Sequence, residues 1–149
     1  MKAMRYLFYI LLLMLFCTFL ISQENEKKSG ILIIQVNGLQ SNKGKVMVAL
    51  NNSEENYSAD KNSAYKGVST DIIDKKATTT FSELPYGFYA VKVFHDVNNN
   101  DELDLNFVGI PQEPYGFSNN ARGTFGPASW DDARFEINSD SLIISITLE

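Results

Sequence analysis

Cysteine is almost absent from this 149-residue chain, and histidine occurs once. The one cysteine, Cys17, lies inside an apolar run near the N-terminus. If that run leaves as an export signal, nothing remains to build an intramolecular disulfide, a thiol nucleophile or a Cys-based zinc site. His95 alone is too little for zinc, which normally takes two or three N or S ligands. Nor does the sequence identify a nucleophile to complete a triad with it. Its expected role is that of a strand-end histidine bonded to a backbone or loop oxygen, helping to orient Asp96. Basic residues are also scarce: 13 Lys and Arg stand against 18 Asp and Glu. No internal repeat, low-complexity tract or convincing amphipathic helix is visible. The longest apolar run, residues 6–21, has 16 residues, whereas a membrane span needs roughly 20.

What is present begins with that run. Lys2 and Arg5 precede it, and the polar stretch Ser22-Gln23-Glu24-Asn25-Glu26 follows. Basic, then apolar, then polar is the order of a secretory signal peptide. The expected organisation is a signal peptide over 1–23, a linker over 24–29 and one domain over 30–149. An uncleaved N-terminal anchor is the alternative. Cys17 does not fit a lipid-anchor site, because Leu15 and Phe16 precede it and Phe19-Leu20-Ile21 continue the apolar run. Cleavage removes Lys2 and Arg5, leaving 11 basic residues against 18 acidic and a net charge of −7. Such a chain is a poor partner for nucleic acid or an anionic membrane surface, and suits cations better. About 125 residues suffice for one hydrophobic core. The expected location is periplasmic or extracellular, with no stable membrane insertion after cleavage.

Short β-branched runs dominate the rest. Residues 30–36 read as a buried strand, bounded by Gly30 and by Asn37-Gly38. A turn at 42–45 leads to a strand at 46–50, so the first two strands are expected to form an antiparallel pair. Residues 51–63 read as a loop with room for a helical turn, 65–73 as one or two short strands, and 77–81 as another. Leu84-Pro85-Tyr86-Gly87 is a turn signal. The run 88–95 is apolar on both faces and is expected at the centre of a sheet. Strands at 134–137 and 141–148 close the chain. The fold class expected is all-β: an antiparallel sandwich of about seven strands, prealbumin- or immunoglobulin-like. A long loop separates the strand ending at His95 from the one starting near Arg134, and such loops tend to be functional.

The first part of that loop carries chemistry. Asp96, Asn98, Asn100 and Asp104 fall at relative positions 1, 3, 5 and 9, the side-chain positions of an EF-hand-type calcium loop. Glu102 stands at position 7, where a backbone carbonyl is used. Leu103 offers an apolar anchor. Asp101 occupies position 6, where EF-hands carry Gly, and Phe107 stands at position 12 in place of the bidentate Glu. Asn106, Glu113 or water is left to supply a late ligand. The site expected is a weak calcium site, with an affinity of about 10⁻⁴–10⁻³ M. The competing reading is an Asx-rich turn that needs no metal.

Residues 109–130 form the second candidate. Their Gly, Pro and Asn residues set turns and their aromatics can pin a long loop to a sandwich. The functional reading is a groove, with Tyr115, Phe117, Phe125 and Trp130 as an apolar platform and Glu113, Asn119, Asn120 and Arg122 as polar anchors. Arg122 could clamp a carboxylate or pair with a loop acid. Glu113 with Asp131 or Asp132 is the least favoured idea, a glycosidase pair of unknown separation.

Several of these runs together resemble an exported family known as domain of unknown function 2141 (DUF2141). They are Leu84-Pro85-Tyr86-Gly87-Phe88-Tyr89, His95-Asp96-Val97-Asn98-Asn99-Asn100, Gly109-Ile110-Pro111 and Pro114-Tyr115-Gly116-Phe117-Ser118-Asn119-Asn120. The resemblance implies export and a compact β domain, with no activity attached. A wider resemblance is to carboxypeptidase-regulatory-like and B-type adhesin repeat sandwiches. The latter bind calcium in comparable loops, which implies the same for Asp96, Asn98, Asn100 and Asp104. The function expected is that of an exported, non-enzymatic binding or accessory module with calcium in the 96–104 loop. The alternative is a small-molecule or glycan binder using residues 109–130, and a hydrolase comes last. Expected partners are another envelope protein, a glycan or a small molecule.

Overall fold

The computed structural model of the protein describes residues 28–59, 63–124 and 126–149. The expected signal peptide and residues 24–27 of the expected linker lie outside the described residues. The chain runs through β1 (Ser29–Asn37), β2 (Lys45–Asn51), α1 (Glu54–Ser58), β3 (Lys66–Thr70), β4 (Ala77–Pro85) and β5 (Gly87–Asp96). It continues through β6 (Tyr115–Phe117), a 3₁₀ turn (Ser118–Asn120), α2 (Trp130–Ala133), β7 (Phe135–Ile137) and β8 (Ser141–Thr147). One sheet has the order β4-β1-β8. The other has the order β3-β2-β5-β6, with β7 pairing the start of β5. The all-β two-sheet sandwich is thus the architecture the strand patterning predicts, built from eight strands. One pair is parallel: residues 31–37 of β1 run alongside 141–147 of β8.

The expected β1–β2 pair does not form. β1 pairs β4 and β8, while β2 pairs β3 and β5 in the other sheet. The reason is burial. Leu32, Ile34 and Val36 on β1 and Val46, Val48 and Leu50 on β2 are each at most 3% exposed and share one core. Two strands that each carry a full apolar row on one face bury more area by facing each other across a sandwich than by pairing edge to edge. The connection becomes an arch, with left-handed backbone at Gly38 and Gly44 and with Leu39 buried beneath it.

β1 is buried on one face only: its pattern alternates, and Ile31 is 41% exposed. β5 is covered on both. Tyr89, Val91 and Val93 enter the main core, while Ala90 joins a second cluster with Tyr57, Phe117, Ala128 and Ala133. That cluster lies under α1 and α2. Ser53 and Ser129 cap these helices, accepting from the backbone N–H of Asn56 and Asp132. The long segment after His95 is therefore not one structureless loop, because β6, the 3₁₀ turn and α2 interrupt it.

The alternation gives a direct test. Ile34→Ala should cost about 2–5 kcal/mol in urea denaturation, as for other fully buried aliphatic truncations. Ile31→Ala, next to Leu32 but on the opposite, exposed face of the strand, should stay within about 1 kcal/mol.

Candidate functional site

Two features lie at neighbouring parts of the five-stranded sheet. The first is the loop leaving β5. Asp96, its first residue, is fully buried. One carboxylate oxygen accepts the Asn100 N–H at 3.1 Å and the other accepts the Asp101 N–H at 2.9 Å. Asn98 Oδ1 also accepts the Asn100 N–H, and Asn100 Oδ1 accepts the Glu102 N–H. The amide groups of Asn98 and Asn100 both donate to Asp104, at 2.7 and 3.0 Å. Side chains 96, 98, 100 and 104 are thus held in one loop, three of them in direct contact. Asp101 takes the left-handed conformation, φ 61°, that Gly takes at this position in EF-hands. Asp tolerates it better than most residues.

Glu113 joins this loop. It is 7% exposed, and its two oxygens accept the N–H of Val97 at 2.8 Å and of Asp104 at 3.1 Å. One buried carboxylate therefore closes the loop at both ends, and Gln112 N–H to the Asp104 carbonyl reinforces it. Asn106 Oδ1 accepts from Val108 and Ile110, organising a second turn at whose tip Phe107 is fully exposed. Beneath the loop, His95 is buried and donates from Nε2 to the Lys43 carbonyl at 2.6 Å, while Nδ1 has no hydrogen-bond partner among the described residues. The bond ties the β1–β2 arch to the base of the loop. At Gly44, where φ is 73°, a Cβ would fall 1.9 Å from the Asp96 carbonyl oxygen.

Among the described residues, no three His, Cys, Asp or Glu side chains cluster as a metal would need. Any cation at this loop would depend on the Asn amide oxygens and on backbone carbonyls such as that of Glu102. That donor set is all oxygen and part neutral, which suits calcium and not zinc.

The second feature is a groove of about 720 Å³ on the outer face of the five-stranded sheet. Pairing register sets its floor. Gly67, Ala49, Lys92 and Phe117 align across β3, β2, β5 and β6, and Ser69, Met47, Phe94 and Tyr115 form the next row. Asn56 and Ala59 border it from the α1 side, and Asp101, Glu102 and Leu103 border it from the loop. The Lys92 ammonium sits 4.6 Å from the centre of the Tyr57 ring.

Of the expected platform, Tyr115 and Phe117 line this groove. Trp130 instead packs edge-on against Tyr57 at 5.8 Å, and Phe125 lies outside the described residues. The expected polar anchors are engaged elsewhere. Asn119 donates to the carbonyls of Asp132 and Arg134, Asn120 accepts from Thr147 N–H, and Arg122 pairs with Glu149 at 2.6 Å. These contacts staple the segment to the sandwich. Asp131 pairs with Arg134, and Asp132 belongs to the α2 cap. The groove residues Lys92, Met47, Phe94 and Gly67 carry no motif. The one legible signal is Gly67, a glycine inside a strand, which can mark close approach of another group.

Two measurements follow from this geometry. Glu113→Gln leaves one acceptor oxygen for two N–H groups, and should cost about 1–3 kcal/mol and speed hydrogen exchange at Val97 or Asp104. The Tyr57 phenol, which donates to the Ala128 carbonyl, is pushed up to about 12 by burial and then by the charge of Asp132. An unfolded tyrosine ionises near pH 10. The stability from this difference is complete below pH 10 and is lost as pH rises to about 12. Tyr57→Phe should reduce that alkaline fall in denaturation midpoints.

No curated protein and no solved structure matches the chain. A family described as an uncharacterized protein conserved in bacteria, DUF2141, matches residues 34–145, from the middle of β1 into β8. That span takes in the 96–104 loop, Glu113 and every groove residue named above, and the chain belongs to this family.

Proposed function

We propose that this protein is an exported, non-enzymatic binding or accessory module whose 96–104 loop takes up calcium and is stiffened by it. The observation that carries the reading is the state of Asp96. Its carboxylate is fully buried and oriented by the N–H groups of Asn100 and Asp101. Asn98, Asn100 and Asp104 already touch one another beside it. Each Asn amide places an N–H where a cation would meet the Asp104 oxygens. A calcium ion would displace those N–H groups from Asp104, and drawing the Asn98 and Asn100 oxygens onto it would cost the bonds they accept from the Asn100 and Glu102 N–H groups. Export rests on the N-terminal sequence pattern, and it would place the loop in compartments where a weak calcium site can fill.

Melting curves test this. With a dissociation constant of about 10⁻⁴–10⁻³ M, 10 mM calcium should add about 1.4–2.7 kcal/mol, a rise of several degrees in Tm. Asp104→Ala should abolish the rise. No shift at millimolar calcium would sink the reading.

A second reading is favoured by the groove itself. Tyr115 and Phe117 wall a concavity whose size suits a small molecule or a short glycan. In that reading the loop borders the ligand, through Asp101, Glu102 and Leu103.

A further inference from the structure

The turn that follows the 96–104 loop, residues 105–111, reads Leu-Asn-Phe-Val-Gly-Ile-Pro and has no charged side chain. Phe107 is fully exposed, and Leu105, Val108 and Ile110 are each more than half exposed. Single exposed apolar residues are ordinary, but four in one short turn form a patch of the kind that marks a contact site. The turn is also firmly built. Leu105 bridges Pro111, the Asn106 N–H donates to the Ile110 carbonyl at 2.8 Å, and the Gly109 N–H donates to the Asn106 carbonyl at 2.9 Å. Asn106 Oδ1 takes the N–H groups of Val108 and Ile110, and Gly109 supplies the left-handed residue, φ 82°. These bonds fix the backbone as a finger and leave its apolar side chains facing water.

The same molecule carries a matching hollow. The outer face of a sandwich sheet ordinarily holds polar side chains in water. Here Met47, Phe94 and Tyr115 form an apolar row in the groove, with Ala49 and Gly67 paired beside it as a trough of small residues. Gly67 has no backbone need to be glycine. A Cβ built there meets nothing nearer than the Val48 carbonyl oxygen, at 3.9 Å, and its φ lies outside the left-handed range. A strand glycine with neither a conformational nor a packing reason fits close approach of another backbone. Leu103, two residues before the finger begins, lines the groove, so finger and groove are continuous on one copy. The finger's exposure means that it does not fill its own groove. A two-fold axis beside Leu103 would carry each finger to the other copy's groove, the self-complementary contact of an isologous dimer.

Size and charge favour that occupant. A groove of about 720 Å³ is of the order that takes a drug-sized molecule, and the side chains of Phe107, Val108 and Ile110 together have that size. Two such contacts would bury on the order of 1,500 Å² in total, the area of a stable, specific interface. A membrane surface fits less well, because Asp101 and Asp104 stand at the base of the finger and the chain carries a net charge of −5. We infer that the 105–111 finger of one copy seats in the sheet groove of a second copy, and reciprocally. Phe107 is the anchor, laid over Gly67 and Ala49 against Met47, Phe94 and Tyr115. This goes beyond both functional readings above, and it draws neither on calcium nor on a charged group in the groove.

Sedimentation velocity of the purified protein over a range of concentrations tests it. The wild type should be a dimer that dissociates on dilution. Phe107→Ser should weaken dimerisation by about tenfold or more and leave the circular dichroism unchanged, since the side chain makes no contact within one copy. Gly67→Leu should weaken it as much by filling the trough; Ala49→Leu supplies the same block should Gly67→Leu fail to fold. The sharpest measurement mixes the two variants. Phe107→Ser retains a groove and Gly67→Leu retains a finger, so the mixture should form more dimer than either variant alone. A monomer at every concentration overturns the inference, as does a dimer indifferent to Phe107→Ser or to both blocking variants, or a mixture that recovers nothing. A monomer that cosediments with phosphatidylcholine vesicles through Phe107 also overturns it, and assigns the finger to a lipid surface.

Discussion

Strand β5 is covered on both faces, and a strand so placed must find every backbone partner within the protein. It does so by pairing β2 along one edge and β6 and β7 along the other. Its inward row, Tyr89, Val91 and Val93, holds the main core together. Its outward row, Ala90, Lys92 and Phe94, is shared between the helix-covered cluster and the groove. Its last residue, Asp96, opens the loop. Both candidate sites are thus set by one strand, and neither can move without it. Ser118 adds a further tie, accepting the Val91 N–H and donating to the Ala133 carbonyl beneath α2.

The loop illustrates how burial of charge is made tolerable. Asp96 and Glu113 are both buried carboxylates, and no ion pair with a Lys or Arg offsets either among the described residues. Each instead receives two backbone N–H groups. Hydrogen bonds to a charged acceptor are the strong kind, and four of them offset much of the desolvation cost. The result is a loop closed from inside at position 1 and from outside by Glu113. Its half-buried acid, Asp104, faces the side-chain amides of Asn98 and Asn100. Such a loop holds its shape through hydrogen bonds alone, and the calcium proposed for it would add to them.

Much of this was legible locally. Apolar, β-branched patterning marks seven of the eight strands, and the Asp/Asn spacing marks the loop, because both patterns arise from neighbours within a few residues. Asp101 at φ 61° agrees with the EF-hand position it occupies, although Gly is usual there. The three-residue strand β6 was not legible. Tyr115-Gly116-Phe117 is too short for a period, and its strand form comes from pairing with Lys92 and Phe94. Glu113 reads in sequence as a groove anchor or a late ligand of the loop, and its closing of the loop through two backbone N–H groups emerges only when residues 97 and 104 are folded against it.

By itself the sequence determined the all-β class, every strand but β6, the Asp/Asn loop, and a family membership that runs from β1 to β8. These depend on period-two burial and on hydrogen bonds spanning six residues or fewer. Only the tertiary structure decided that β1 and β2 lie in opposite sheets, that β8 runs parallel to β1, and that Glu113 closes the loop. It alone assembled the groove, whose floor takes one residue from each of four strands in a shared register. Register between distant strands is set by which apolar rows bury each other best. That competition is settled across the whole core, and no single stretch of the chain carries its outcome.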